Sequence, residues 1–142
     1  MILLDTNVLI YAIGAEHPMK AVAADLLELA NDRPLRVTRL TVEEFVHVWA
    51  RSGRTRQQAV SIASEYFVLF GPVEENADED TMDGFELWQA HPQLDLSDAF
   101  LAAVAIRTEA LLVSADRAYA GVDGLRWIDL ADPDLLEAVN AA

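Results

Sequence analysis

The sequence predicts an α/β fold in which a single domain spanning residues 1–142 builds a mostly parallel central sheet, flanked by helices on both faces. Three observations carry this. Short apolar runs such as Ile2-Leu3-Leu4 and Leu111-Leu112-Val113 read as strands buried on both sides. Segments with helical spacing of apolar residues separate them, as βα units require. A chain of 142 residues, 53% hydrophobic and 24% charged, is long enough for a sizeable core and too apolar for disorder.

Each element has its own local signal. Ile2-Leu3-Leu4 ends at Asp5, and Thr6-Asn7 followed by Val8, Leu9 and Ile10 reads as a strand turning into a helix. His17-Pro18 breaks the chain, and Pro18 suits the first turn of a helix whose Val22, Leu26 and Leu29 share one face, ending near Asn31. Leu35 to Thr38 is strand-like. Thr41 and Glu44 have capping-box spacing ahead of a helix carrying Val42, Phe45, Val46 and Trp49, which Ser52-Gly53 stops. Thr55 opens a helix with Ala59, Ala63 and Phe67 on one face, closed by Gly71-Pro72. An acidic stretch leads into a helix through Phe85 and Trp88 that ends at His91-Pro92. Ser97 is the expected N-cap of a helix whose Phe100, Leu101, Val104 and Ala105 face the core. Leu111 to Ser114 and Arg126 to Ile128 are the last strands, and Pro133 begins a short final helix.

Composition excludes several classes of chemistry. The absence of cysteine removes disulfides, thiolate zinc sites and a cysteine nucleophile. No apolar run is long enough to span a membrane, and Asp5 interrupts the first one too early for a secretion signal, so a cytoplasmic address without membrane contact is expected. His17, His47 and His91 have neither HxH nor HExxH spacing, and no phosphate-binding glycine loop or GxSxG elbow occurs.

The net charge of −14 is opposite to the footprint of a protein that grips nucleic acid by phosphate contacts alone. Its distribution is uneven. Residues 33 to 56 hold Arg33, Arg36, Arg39, Arg51, Arg54 and Arg56 against only Glu43 and Glu44, whereas residues 74 to 86 hold seven acids and no base. One basic face is expected, with the acids of 74 to 86 solvated and turned away from it.

Asp5 follows the first strand and Asp116 lies just beyond Ser114, so in a parallel sheet both stand at the carboxyl edge, where open α/β sheets bind ligands. Asp98 sits in the first turn of a helix, which favours a carboxylate. Converging carboxylates without counter-charge repel one another, and a hard divalent cation with oxygen ligands neutralises them. The chemistry points to Mg²⁺ or Mn²⁺.

Four segments in this order, Asp5-Thr6-Asn7-Val8-Leu9-Ile10, Thr41-Val42-Glu43-Glu44-Phe45, Leu96-Ser97-Asp98-Ala99-Phe100 and Ser114-Ala115-Asp116-Arg117, resemble those of the PIN-domain ribonucleases, and the size of the chain is similar to that of VapC-type toxins. The resemblance runs from residue 1 to about residue 130. It implies a metal-dependent endoribonuclease, restrained by a cognate antitoxin. It assigns Asp5, Glu44, Asp98 and Asp116 as catalytic acids, with Asp5, Asp98 and Asp116 on the metal and Thr6, Asn7 and Ser114 as hydrogen-bonding supports of those carboxylates. The family's Thr-x-x-Glu followed by an apolar residue selects Glu44, while helical phase sets Glu43 nearer the edge of the buried stripe and leaves the pair open. The chain departs from the family in lacking a further acid within a few residues after Asp116, where Arg117-Ala118-Tyr119-Ala120 stands.

A polyanionic substrate on such an acidic chain calls for Arg51, Arg54 and Arg56 as RNA contacts, and a homodimer would enlarge the basic patch. Two rival readings have different signatures. A phosphatase using Asp5 as nucleophile would carry a second aspartate where Asn7 stands. A non-catalytic, metal-dependent module binding nucleic acid or protein would keep the acids without turnover.

Overall fold

A computed structural model describes residues 1–142. Four strands, β1 (Ile2–Leu4), β2 (Leu35–Arg36), β3 (Leu111–Ser114) and β4 (Arg126–Asp129), form one sheet in the order β2-β1-β3-β4. Every pairing is parallel, so the sheet is wholly rather than mostly so. Seven helices surround it: α1 (Thr6–Ile13), α2 (Lys20–Glu28), α3 (Arg39–Arg51), α4 (Arg56–Phe70), α5 (Asp78–Ala90), α6 (Leu96–Arg107) and α7 (Leu135–Ala141).

The alternation of side chains along the strands divides the core into two layers. Ile2, Leu4, Leu111 and Val113 point into the larger layer, which holds Leu9 of α1, Leu26 of α2, Phe45 of α3, Phe70 of α4 and Val139 of α7. Leu3 and Leu112 point the opposite way, onto Leu101, Ala102 and Val104 of α6 and onto Tyr119. Both faces are therefore covered, which is why the strand sequences are continuously apolar.

Several local readings shift by one turn or less. Pro18 precedes α2 and occupies a turn in which Lys20 N donates to the His17 carbonyl at 3.0 Å. Thr38, not Thr41, caps α3: its extended backbone turns its Oγ1 onto Thr41 N at 3.1 Å, and Glu44 is left out of any capping box. Asp95 rather than Ser97 occupies the N-cap of α6, and α7 begins at Leu135, after Asp134, rather than at Pro133. In α4 the buried face is Ala59, Ala63, Tyr66 and Phe70, while Phe67 is 41% exposed.

The acidic stretch is not simply solvated. Asp80 is fully buried, accepting from Arg107 Nε at 2.7 Å and from Ala77 N at 2.6 Å, and Arg107 also reaches Glu74 at 3.4 Å. Its contacts, with those of Gly84 one turn on, seat α5 on α6. A Cβ at Gly84 would meet Phe100 Cε1 at 2.9 Å and the Phe100 Cα at 3.3 Å. Gly84→Ala gains about 1 kcal/mol of helix propensity, but overpacking of this kind costs about 1–3 kcal/mol. The variant is expected to melt at or below the parent temperature, and a clear rise would show that the two helices part freely.

Candidate active site

The sheet order makes a topological switch between β1 and β3, because the chain leaves β1 toward β2 on one side and returns to pair β3 on the other. The register places Leu4 beside Val113, so the residues that follow, Asp5 and Ser114, meet at the carboxyl edge. Asp5 takes the extended N-cap position of α1, and its Oδ1 accepts from Thr6 N at 2.6 Å. Its Oδ2 accepts from Ser114 Oγ at 2.6 Å and from Asn7 Nδ2 at 3.0 Å.

Ser114 is the junction of this network. Its Oγ accepts from Asn7 Nδ2 at 2.9 Å and from Asp116 N at 3.0 Å, while Asn7 Oδ1 accepts from Ala115 N at 3.1 Å. Thr6 Oγ1 donates to Glu44 Oε2 at 2.7 Å, tying α3 to the start of α1. The residues that the sequence groups as supports, Thr6, Asn7 and Ser114, thus touch the acids directly.

Asp5, Glu44, Asp98 and Asp116 line one cleft of about 330 Å³. Glu44 enters it and Glu43 does not; Glu43 lies on the α3–α4 side with Arg39. Asp98 in the first turn of α6 accepts from the Tyr119 hydroxyl at 3.1 Å, and Asp116 Oδ1 accepts from Ala118 N at 2.8 Å. Tyr11, Asp95 and Tyr119 escaped the sequence reading. Asp95 also lines the cleft, and its signal was available as an acid three residues before Asp98. Tyr119, 1% exposed, reaches Asp98 from the 3-10 turn at Arg117–Tyr119, and nothing in its local sequence marks it.

Arg51, Arg54 and Arg56 do not line the cleft. Arg51 approaches His47 Nε2 at 3.2 Å, and the Arg54 guanidinium lies 3.4 Å over the Trp49 ring. Glu44, Val48 and Arg51 nonetheless share a face of α3 at i, i+4 and i+7, with Glu44 and Val48 in the cleft wall. Elsewhere in the basic stretch Arg39 pairs with Glu75, and Arg33 donates to Asn140 at 3.0 Å.

No cationic side chain lines the cleft, so its acids act on one another. Burial pushes Asp5 up to about 6 despite the Ser114 and Thr6 hydrogen bonds, and the charges of Asp98 and Glu44 add to the rise. Asp98 is raised by burial and by Asp116, with Tyr119 opposing. The donor set is oxygen only, which suits a hard divalent cation. The carboxylates rest on separate protein donors, and no three of them are gathered into a finished ligand set.

Because Asp5 binds its proton more tightly folded than unfolded, its ionisation opposes folding above pH 6. The rise from 3.8 to about 6 corresponds to a penalty of at most about 3 kcal/mol at neutral pH, which disappears as pH falls through that interval. In chelator, Asp5→Asn is therefore expected to melt above the parent at neutral pH, with the gap closing below about pH 4. Thermal melts of both proteins across this range test it; a parent at least as stable at neutral pH would contradict it.

The PIN domain profile matches residues 2–125. Ribonuclease VapC7 of Mycobacterium tuberculosis is 40% identical over 127 residues, covering 84% of this chain and 85% of its own length. Ribonuclease VapC43 of the same species is 32% identical over 138 residues, covering 89% and 93%. A toxin-antitoxin complex from Klebsiella pneumoniae contains a chain of the same fold, with a TM-score of 0.68 at 21% identity over 93% of this chain and 99% of that one. With four acids at the switch point of an all-parallel sheet, the chain belongs to the PIN-domain family and, within it, to the VapC ribonucleases.

Proposed function

We propose that the protein is a divalent-cation-dependent endoribonuclease that acts as the toxin of a toxin–antitoxin pair. The observation that carries this reading is a cleft of carboxylates without a counter-cation at the β1/β3 switch point. Asp5, Asp98 and Asp116 are the residues that would hold Mg²⁺ or Mn²⁺. When bound, the cation supplies an activated water and neutralises charge on the phosphodiester.

The protein's own part is positioning. Ser114, Asn7 and Thr6 N fix both oxygens of Asp5 before any ligand arrives. Thr6 Oγ1 fixes Glu44 Oε2 as an acceptor, leaving Oε1 to take a proton from the attacking water. Tyr119 holds Asp98 Oδ1. Attack by water gives 5′-phosphate and 3′-hydroxyl ends and uses no 2′-hydroxyl nucleophile. An antitoxin that delivers an arginine or lysine to the acids would displace the cation electrostatically; the likeness to a toxin-antitoxin complex supports such a partner. A homodimer would bring two sets of Arg51 and Arg56 to the RNA. No helix is long and apolar enough to cross a membrane.

The deciding experiment incubates antitoxin-free protein with mixed RNA in Mn²⁺ and in EDTA. Cleavage in Mn²⁺ alone is expected, and Asp98→Asn should lower it by about 100-fold or more. Binding without turnover would instead favour a non-catalytic module. Glu44→Gln should be far more damaging than Glu43→Gln, and the opposite order would remove Glu44 from the site.

Arg51→Gln combined with Arg56→Gln should reduce the salt slope of single-stranded RNA binding by roughly 0.7 for each phosphate that no longer meets an arginine, leaving the melting temperature unchanged. Arg54→Gln is expected to lower the melting temperature as well, because it uncovers the Trp49 ring. An unchanged slope in the double variant would place the RNA path elsewhere.

A further inference from the structure

Tyr11 lines the acid cleft from α1, one helical turn beyond Asn7, whose side chain holds Asp5. In the loop between α1 and α2, the His17 ring lies on it in a parallel stack, with centroids 4.3 Å apart and planes 18° apart. We propose that this pair is a stacking platform for a nucleobase of single-stranded RNA, placed beside the scissile phosphate. The proposal rests on the ribonuclease reading above.

Hydrogen bonds of the α1–α2 loop hold the platform. Met19 N donates to His17 Nδ1 at 3.1 Å, the His17 carbonyl accepts from Lys20 N at 3.0 Å, and Lys20 Nζ donates to the Gly14 carbonyl at 2.8 Å. Since Nδ1 is an acceptor in this arrangement, the ring proton sits on Nε2, which is left as a donor. His17 is exposed, so with one face on Tyr11 its other face is open to solvent. A base placed there continues the stack, and the Nε2 proton can serve a base acceptor or a phosphate oxygen.

Charge makes such a neutral contact useful. The chain carries a net −14, its cleft is lined by acids, and none of its arginines lines the cleft wall. Beyond what a bound cation would supply, affinity close to the acids then calls for a side chain that does not depend on positive charge. Stacking meets this need, and it tolerates any base because every base has a π-face. The competing role for the pair is a staple that merely holds the α1–α2 loop.

The experiment uses the full chain, His17→Ala and His17→Phe with a labelled single-stranded oligoribonucleotide and a set carrying one abasic position each. Binding is read by fluorescence anisotropy in Ca²⁺ and cleavage in Mn²⁺, with melting temperatures alongside. His17→Ala should weaken binding by about 5-fold or more, in line with the contribution of one stacked base. His17→Phe should stay within about 2-fold of the parent, because it restores the ring. One abasic position should weaken the parent by a similar factor and have no added effect in His17→Ala, at equal melting temperatures.

A parent that cuts RNA while His17→Ala binds as tightly overturns the platform alone. Equal losses at every abasic position together with a lowered melting temperature identify a staple and overturn it too. A parent that neither binds nor cuts RNA overturns the ribonuclease reading and the platform together.

Discussion

The buried carboxylate of Asp5 is the constraint around which this structure is organised. It is 5% exposed at the end of the central strand β1, where ionisation is costly. Ionised, it needs donors, and the chain supplies three: Thr6 N and Asn7 Nδ2 from the two residues that follow it, and Ser114 Oγ from 109 positions away. Meeting that need fixes the start of α1, the end of β3 and the turn into Asp116 at once. A network of this kind specifies geometry more than it adds stability, because a single unmatched member in a low-dielectric setting is heavily penalised.

The remaining acids reach the same cleft by separate backbone routes. Glu44 arrives on the second turn of α3 because Thr38 starts that helix earlier than the sequence spacing suggests, and Thr6 Oγ1 receives it. Asp98 comes from the first turn of α6, where the helix N-terminus favours a carboxylate. Burial and their mutual repulsion raise Asp5 and Asp98 above the ordinary carboxylate range. Such a cleft stores unfavourable charge that a cation from outside would relieve.

Charge elsewhere in the molecule is arranged so that few arginines remain near this cleft. Arg107 is committed to Asp80 and Glu74, Arg39 to Glu75, and Arg117 to Asp129 at 3.1 Å. The first of these fastens α5 to α6 through a fully buried carboxylate, whereas the other two are surface pairs that contribute little to stability. Of the basic stretch at residues 33 to 56, Arg39 is thereby committed elsewhere, and Arg51 is the member that shares a helix face with Glu44.

The sequence by itself determined the α/β architecture, the strands and the order of the acids along the chain. Ile2-Leu3-Leu4 and Leu111-Leu112-Val113 are apolar at every position because both sheet faces are covered, and that pattern is local. Asp5 and Asp116 were legible as edge residues for the same reason: they end or follow such runs. Only the tertiary structure decided between Glu43 and Glu44, since neighbouring helix positions point about 100° apart and the choice depends on where α1 lies relative to α3. It alone disclosed Tyr119 beneath Asp98, the Tyr11–His17 stack and the burial of Asp80 by Arg107. Tyr119 and Asp98 are separated by 21 positions and Asp80 and Arg107 by 27, and contacts of that span arise from packing, which local patterns of charge and hydropathy do not encode.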